Sequence, residues 1–310
     1  MKERFVNKVL VQGYVFNHTL ETRVTGPNSK NPNVPFINGQ VNIATDEEGL
    51  NVIPVYFTYV TEFYNKSGKP NTTYAALKKI IDAEPNEEIK VRVDGQIELN
   101  DWYNKEGELI SAKRVGGSFL HIMNEKEAIS NTPNYFETDM LISKSMRKES
   151  QDGKEYLELG GYCFNFRNDF LPISLTIRTP EGIDYFENEA PSNSNPLLTK
   201  VWGEIISTTV EKGVEVESAF GAPVVKTTSQ SFRAWDVTGA AKEPMEFGEE
   251  SVMTIDDVKK GLAKREEYLA GIKQRQEEYQ NKNQQKTNGS GFPVTASSNV
   301  SPTANENFPF

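Results

Sequence analysis

Residues 5–123 contain a series of strand-like segments with one helical segment among them, and the order of these segments is what most constrains the fold. Apolar and polar residues alternate at 9–15 and 37–43, and an apolar run follows at 52–60. The stretch 71–82 begins with a capping Asn-Thr-Thr and continues with apolar residues at helical spacing. Two more strand-like segments complete the region. The sequence therefore predicts three strands, a helix and two strands.

This order is that of the OB-fold, a five-stranded Greek-key barrel whose helix lies between the third and fourth strands. A weak internal repeat follows and predicts a second copy of the barrel. We therefore expect an all-β fold with minor α content: two tandem OB-fold-like five-stranded barrels, a C-terminal helix and a disordered tail. In the second copy, a loop at 188–195 is expected to replace the helix. The matching stretches are 36–43 with 157–164, 51–58 with 170–177, and 90–97 with 198–205.

Beyond residue 241 the pattern changes from strand-like to helical. Thr254 can cap a helix in which Ile255, Val258 and Leu262 recur at helical spacing, and we expect this helix to fray towards residue 283. From residue 284 onward polar residues, Gly and Pro predominate, which is typical of a disordered linker. The predicted boundaries are 1–128 and 129–242 for two OB-fold domains, 243–283 for an acidic linker and helix, and 284–310 for the tail.

The chain has 310 residues and a formal charge of −10, which argues against coating nucleic acid by bulk attraction. Positive faces can still exist, because much of the acidic charge is clustered. Cys163 is the single cysteine, so no intramolecular disulfide can form. The chain has no apolar run of membrane-spanning length, and its first residues lack the apolar h-region that is typical of a signal peptide. We expect no membrane association and a cytoplasmic location, in the host cell if the chain is phage-encoded.

Proteins that bind single strands without sequence preference combine cations for the backbone with aromatic faces on which bases stack. Period-two counting points Tyr14 and Phe16 outward from the first strand, and gives Tyr162, Phe164 and Phe166 one shared face. Outward cations accompany these rings. The predicted nucleic-acid-binding residues are Tyr14, Phe16, Lys30, Lys90, Arg92, Trp102, Tyr103, Lys113, Arg114, Phe164, Phe166, Arg167, Arg178, Lys200, Trp202, Arg233 and Trp235.

Aromatic residues in strands fill cores and domain interfaces more often than they bind bases, and this alternative applies to each predicted ring. Five aromatic residues between 56 and 64 are too crowded for counting to assign them a face. We expect most of them to fill the core. They are Tyr56, Phe57, Tyr59, Phe63 and Tyr64.

Sequence signatures of catalysis are missing. The chain has no Gly-rich phosphate loop ending in Gly-Lys-Ser/Thr, no paired His for a metal, and no Ser, His or Cys in a recognisable nucleophile context. We therefore expect a protein that is not an enzyme and that needs no cofactor and no metal.

The last residues, with Glu306, Phe308, Pro309 and Phe310, are similar to the protein-docking tip of bacterial and phage single-stranded DNA-binding proteins. A Phe oriented by proline fits an apolar pocket, and its carboxylate suits an Arg beside that pocket. The architecture and this ending resemble the phage- and plasmid-type members of that family. The resemblance implies coating of single-stranded DNA in replication, recombination or repair, and recruitment of replication and repair proteins through the tip. Relatives carry an acidic run in the tip, whereas here only Glu306 and the terminal carboxylate are acidic.

Two other functions are compatible with the same pattern. A structural or adaptor protein of a virion could combine β-barrels with a helical tail and assemble with copies of itself. Alternatively, the barrels could belong to a DNA-binding accessory subunit, or loader, of a replication enzyme. The sequence leaves open the oligomeric state, the preference for DNA or RNA, the site size, and whether the helix at 254–283 packs on the barrels.

Overall fold

The computed structural model describes residues 4–64, 68–84, 87–150, 153–216, 224–248 and 252–287. Side chains at 210–230 and 279–287 lie outside this description. Strands dominate the described residues. The elements are β1 (Asn7–His18), β2 (Glu21–Val24), β3 (Pro35–Ala44), β4 (Val52–Thr61), α1 (Thr72–Asp82), β5 (Lys90–Tyr103), β6 (Leu109–Ile122), β7 (Asn134–Glu149), β8 (Glu155–Phe164), β9 (Phe170–Ile177), α2 (Pro180–Glu189), β10 (Leu197–Val216), β11 (Val224–Ala240) and α3 (Ile255–Thr287).

The first barrel closes in the order β1-β3-β4-β6-β5-β1, and the β4–β6 pair is its single parallel pair among the described strands. Helix α1 lies between β4 and β5 in the chain and packs against β6. The side chain of Asn71 accepts a hydrogen bond from the backbone N–H of Thr73 and so caps α1, as the sequence predicted. Strand order, the parallel pair and the helix position together are those of the OB-fold.

The second barrel repeats this topology in the order β7-β8-β9-β11-β10-β7, again with one parallel pair, β9–β11. The predicted all-β fold with two OB-fold barrels is therefore confirmed. The repeated stretches of sequence also occupy equivalent strands. Counted within each barrel, the second, third and fourth strands are β3, β4 and β5 in the first barrel. In the second barrel they are β8, β9 and β10.

The prediction that a loop replaces the helix in the second barrel is wrong. Helix α2 lies between β9 and β10, in the position that α1 has in the first barrel, and the loop at 188–195 only follows it. Thr179 precedes this helix and Pro180 occupies its first turn, where the fixed φ of proline favours helix initiation. Ile183 and Phe186, three residues apart, form its buried face.

The two barrels are fused through the antiparallel pairing of β1 with β7, which joins the described strands into one sheet of eleven. The side chain of Asn7 donates hydrogen bonds to the carbonyl oxygens of Ile97, at 3.1 Å, and Phe164, at 2.9 Å. It also accepts one at 2.7 Å from the N–H of Ile97. One amide thus connects β1 and β5 of the first barrel with β8 of the second. Because a single hydrophobic cluster extends through both barrels, their division into separate domains stays a prediction.

Helix α3 lies across both barrels and extends past residue 283, where the sequence predicted its end. Thr254 caps it in a reciprocal arrangement, since the N–H of Asp257 donates to the Thr254 hydroxyl and the Asp257 carboxylate accepts from Thr254 N–H. Arg265 binds Asp101 of β5 through two hydrogen bonds of 2.8 and 2.5 Å. Lys264 forms an ion pair with Asp169, beside β9.

In the part of the chain that the structure describes, no helix has both the length and the apolar character that crossing a membrane requires. The predicted tail from 284 onward lies, beyond Thr287, outside the described residues.

The Asn7 connection between the barrels can be tested by Asn7→Ala. Because the substitution leaves one N–H and two carbonyl groups in the junction without their partner, we expect the free energy of unfolding to fall by about 2 to 3 kcal/mol in urea titrations. Asn131→Ala, at an exposed position, is the control and should change it by less than about 0.5 kcal/mol. Equal effects of the two substitutions would contradict a structural role of Asn7.

Candidate nucleic-acid interface

In OB-fold barrels, the face of the second and third strands is the usual binding surface for oligonucleotides. In the first barrel this surface is formed by β3 and β4, and we call it the first face. Gln40 of β3 lies opposite Tyr56 of β4 there. Cζ of Arg114, on β6, lies 4.9 Å from the centre of the half-buried Tyr56 ring. Its Nη2 is 3.4 Å from Oε2 of Glu98. A ring and a cation therefore share the centre of this face.

A second aromatic pair lies at one end of the first face. The rings of Phe36 and Tyr59 are 4.9 Å apart between centroids, and Tyr59 is 42% exposed. Tyr59 has a φ of 56°, a left-handed conformation that residues other than glycine rarely adopt. The β3–β4 register shifts at this point, between Ile37 and Gly39, so the irregularity turns the Tyr59 ring towards the surface beside Phe36.

Amide side chains occupy the rest of the first face. Gln40 donates a hydrogen bond to Asn42, which in turn donates to Asn17. Amides both donate and accept, and so they match the hydrogen-bonding groups of nucleobase edges without adding charge. The first face thus offers rings, amides and one guanidinium.

The second barrel presents a similar group on its second face, formed by β8 and β9 and extended by β11. Cζ of Arg178 lies 5.9 Å from the ring centre of Tyr156 and 5.1 Å from that of Phe232. Nη1 of Arg178 is 2.7 Å from Oδ1 of Asp236. Burial raises the pKa of Asp236, and Arg178 acts in the opposite direction. Tyr156 is half-buried and Phe232 is exposed, so this guanidinium also lies among accessible rings.

Four of the predicted stacking residues have exposed rings, namely Tyr14, Phe16, Trp102 and Phe166. Tyr14 and Phe16 project from β1 as period-two counting predicted. Arg167 lies over the Phe166 ring with Cζ 4.9 Å from its centre. These positions are accessible to a ligand, and whether they bind nucleic acid stays a prediction.

Phe164 and Trp235, by contrast, are buried, so the prediction that bases stack on them is wrong. The Phe164 ring packs between Phe5 and Phe170, with centroids 4.4 and 5.0 Å away. Strand β8 ends at Phe164, and because the alternation stops there, residues 162, 164 and 166 share no common face. Trp235 lies 5.4 Å from the Phe136 ring in the core of the second barrel.

Trp202 and Tyr103 are half-buried because the chain itself covers them. The Trp202 ring lies against Gly239, where a Cβ atom would come within 2.6 Å of it. Gln276 of α3 donates a hydrogen bond of 2.7 Å to the carbonyl oxygen of Tyr103. Neither residue lies on the first or the second face.

Most of the predicted cations already interact with acidic side chains or carbonyl groups, so local positive potential is limited. Lys30, Arg167 and Arg233 are exposed. Besides Arg114 and Arg178, the interactions are Arg92 with Asp94 at 3.1 Å, Lys200 with Glu137 at 3.1 Å, and Lys90 with the carbonyl oxygen of Glu127.

The crowded aromatic segment was also predicted wrongly. Only Phe57 of the five residues is buried, whereas Tyr59, Phe63 and Tyr64 are exposed and Tyr56 is half-buried. Alternation with the buried residues at 53, 55 and 57 could have shown that Tyr56 points outward. In the described ranges, no three His, Cys, Asp or Glu side chains are grouped so that they could hold a metal ion.

Lys113 lies between the barrels. Its ammonium group donates a hydrogen bond to the carbonyl oxygen of Ser174 on β9 and lies 5.1 Å from the centre of the Trp235 ring. Desolvation lowers the pKa of Lys113 to about 8, and the negative charge of Glu158 opposes this only in part. The side chain is thus a cation held at a cost in stability.

The predicted docking residues Glu306, Phe308, Pro309 and Phe310 lie outside the described residues.

Comparison with known sequences shows the family of this chain, because the model of the YorF family matches residues 6–286. The chain belongs to the YorF family. No curated protein matches the sequence.

Two crystal structures of the single-stranded DNA-binding protein from Thermus aquaticus are similar in outline to this YorF-family chain. A deletion variant is 13% identical with a TM-score of 0.48, and the alignment covers 80% of this chain and 99% of that chain. The wild-type structure is 14% identical with a TM-score of 0.44, covering 79% and 98%. The OB-fold assignment of the YorF-family chain rests on its own strand order.

Lys113→Met tests the desolvation of this lysine. At pH 7 we expect the free energy of unfolding to rise by about 1 to 2 kcal/mol, because methionine keeps most of the stem and removes the desolvated charge. Between pH 8 and about 10.5 the unfolded wild type binds more protons than the folded one, so its stability rises with pH and approaches that of the variant. Urea titrations at pH 7 and 10 measure the difference, and a variant less stable at both pH values would contradict the expectation.

Proposed function

We propose that this chain binds single-stranded DNA across the first and second faces, without catalysing a reaction. The observation that supports this most strongly is that each barrel combines an arginine guanidinium with accessible aromatic rings on its second-and-third-strand face. On the first face Arg114 lies over Tyr56. On the second face Arg178 lies between Tyr156 and Phe232.

This arrangement suits a sequence-tolerant ligand. Every base has a flat π-face, and stacking on an aromatic side chain contributes about 1 to 3 kcal/mol per base. The first face adds the amide groups of Gln40, Asn42 and Asn17, which can bond to base edges. With a formal charge of −10, the protein depends on these local contacts more than on long-range attraction.

Participation in replication, recombination or repair belongs to the same proposal, as does a place in the cytoplasm where such DNA is exposed. Recruitment of replication and repair proteins through Glu306, Phe308, Pro309 and Phe310 stays a prediction. The two alternatives are a virion component and a loader subunit. Binding measurements should distinguish both from a protein that coats single-stranded DNA.

Stacking on the two faces is tested by Tyr56→Ala and Tyr156→Ala in fluorescence-anisotropy titrations with a labelled oligo(dT). Each substitution should weaken binding about 5- to 150-fold, the equivalent of about 1 to 3 kcal/mol. Tyr56→Phe keeps the ring and should bind within about threefold of wild type. Phe119→Ala removes a ring that is exposed on β6 outside both faces, and it should not change the affinity.

Absence of binding by the wild-type protein at low salt would reject the proposed function. Wild-type binding that survives both tyrosine substitutions would move the interface to other surfaces. Large oligomers that persist at high salt, together with no affinity for DNA, would favour the virion alternative. Oligo(rU) in a parallel titration measures the preference between DNA and RNA.

A further inference from the structure

A cleft of about 460 Å³ separates the β5–β6 hairpin of the first barrel from the second face of the other barrel. The hairpin contributes one wall, and β7, β8 and β9 contribute the opposite wall. The lining combines apolar groups with hydroxyl groups, an amide and two lysines. The lining residues are Leu99, Ser111, Lys113, Ser143, Lys144, Gly160, Gly161, Tyr162, Pro172, Ile173, Ser174 and Asn193.

The charged side chains that line this cleft are both positive. Lys113 and Lys144 line it, and no lining residue is an aspartate or glutamate. Glu158, whose charge acts on Lys113, is itself bound to Lys148, with Nζ and Oε2 2.8 Å apart. Gly160 pairs with Lys144 across β7 and β8, and the stem of Lys144 lies over this glycine at the edge of the cleft.

Neither lysine has a carboxylate within ion-pair distance in the described part of the chain. Lys113 has a carbonyl oxygen and an aromatic ring as neighbours, and these compensate its charge only in part. Cations removed from water are normally paired, because the desolvation of an unpaired one is unfavourable. Lys113 is such a desolvated cation, whereas Lys144 is exposed and adds a second positive charge to the lining. A cleft lined by these two ammonium groups without a carboxylate partner is therefore suited to an anion.

We propose that this cleft binds a phosphate group, and that in the assembled complex this group is a backbone phosphate of the bound strand. This inference rests on the proposed function. Consecutive residues of β6 explain the geometry, since Lys113 enters the cleft while Arg114 lies on the first face. The phosphate would thus be held where a strand passes from one barrel to the other.

The decisive measurement is the salt dependence of oligo(dT) binding. The slope of log Kobs against log salt concentration is about −0.7 for each phosphate contact on a single strand. One bound phosphate accounts for about 0.7 of the slope, so Lys113→Met and Lys144→Met should each make the slope shallower by part of this amount, and the double variant by about 0.7. Tyr56→Ala should lower affinity and leave the slope unchanged. Lys105→Met removes an exposed lysine of the β5–β6 turn, outside the lining, and is the matched control.

Lys113→Arg separates charge from fold. Arginine keeps its charge at pH 9, so this variant should retain the wild-type slope at pH 7 and lose little affinity up to pH 9. The wild type should lose affinity over the same interval as Lys113 deprotonates. Lys144 and Tyr162 line the same cleft, and Glu158 and the buried Cys163 act on Lys113 from outside the lining; all four are unchanged in this comparison. Thermal melts of every variant check that it is folded.

The second experiment adds pyrophosphate, a free phosphate compound with the chemistry of a backbone phosphate. Pyrophosphate should raise the melting temperature of the wild type, at constant ionic strength, and leave that of Lys113→Met unchanged. Salt slopes that do not differ between wild type and both lysine variants would overturn the strand-phosphate assignment while DNA binding stands. If DNA does not bind at all, a pyrophosphate shift that depends on Lys113 supports a site for free phosphate, and its absence overturns the cleft proposal too.

Discussion

The pairing of β1 with β7 is the constraint on which the rest of this structure depends. It joins the two closed barrels through one pair of strands, and Asn7 forms hydrogen bonds to both barrels at the junction. Because backbone hydrogen bonds and a continuous core connect the barrels, their relative position is set by secondary structure itself. The β5–β6 hairpin of the first barrel consequently lies over the second face of the other, and the cleft between them has defined walls.

Strand β6 shows how this junction serves both barrels. Alternation along a strand points neighbouring side chains in opposite directions. Arg114 therefore meets Tyr56 on the first face, while Lys113 reaches Ser174 and Trp235 in the second barrel. Two consecutive cations thus belong to two different surfaces, and a ligand that touches both must cross from one barrel to the other.

Helix α3 reinforces the same arrangement because it binds both the hairpin and the second barrel. Arg265 and Asp101 form an ion pair that is nearly inaccessible to solvent, with side-chain exposures of 11% and 1%. Lys264 pairs with Asp169, so one turn of the helix contacts both barrels. Buried pairs of this kind specify an arrangement more than they stabilise it, because desolvation offsets much of their attraction. The helix therefore holds the hairpin in place above the second face.

The sequence by itself determined the element order of the first barrel, the duplication and the outward direction of Tyr14 and Phe16, since these depend on local periodicity and on turn residues. Helix α2 was also encoded locally, by Thr179 and Pro180, but the polar loop after it concealed the signal. Only the tertiary structure decided that Phe164 and Trp235 are buried, that Tyr59 reaches the surface, and that Lys113 lies between barrels. Periodicity states which side of a strand a residue occupies, whereas what covers that side depends on segments far away in the chain.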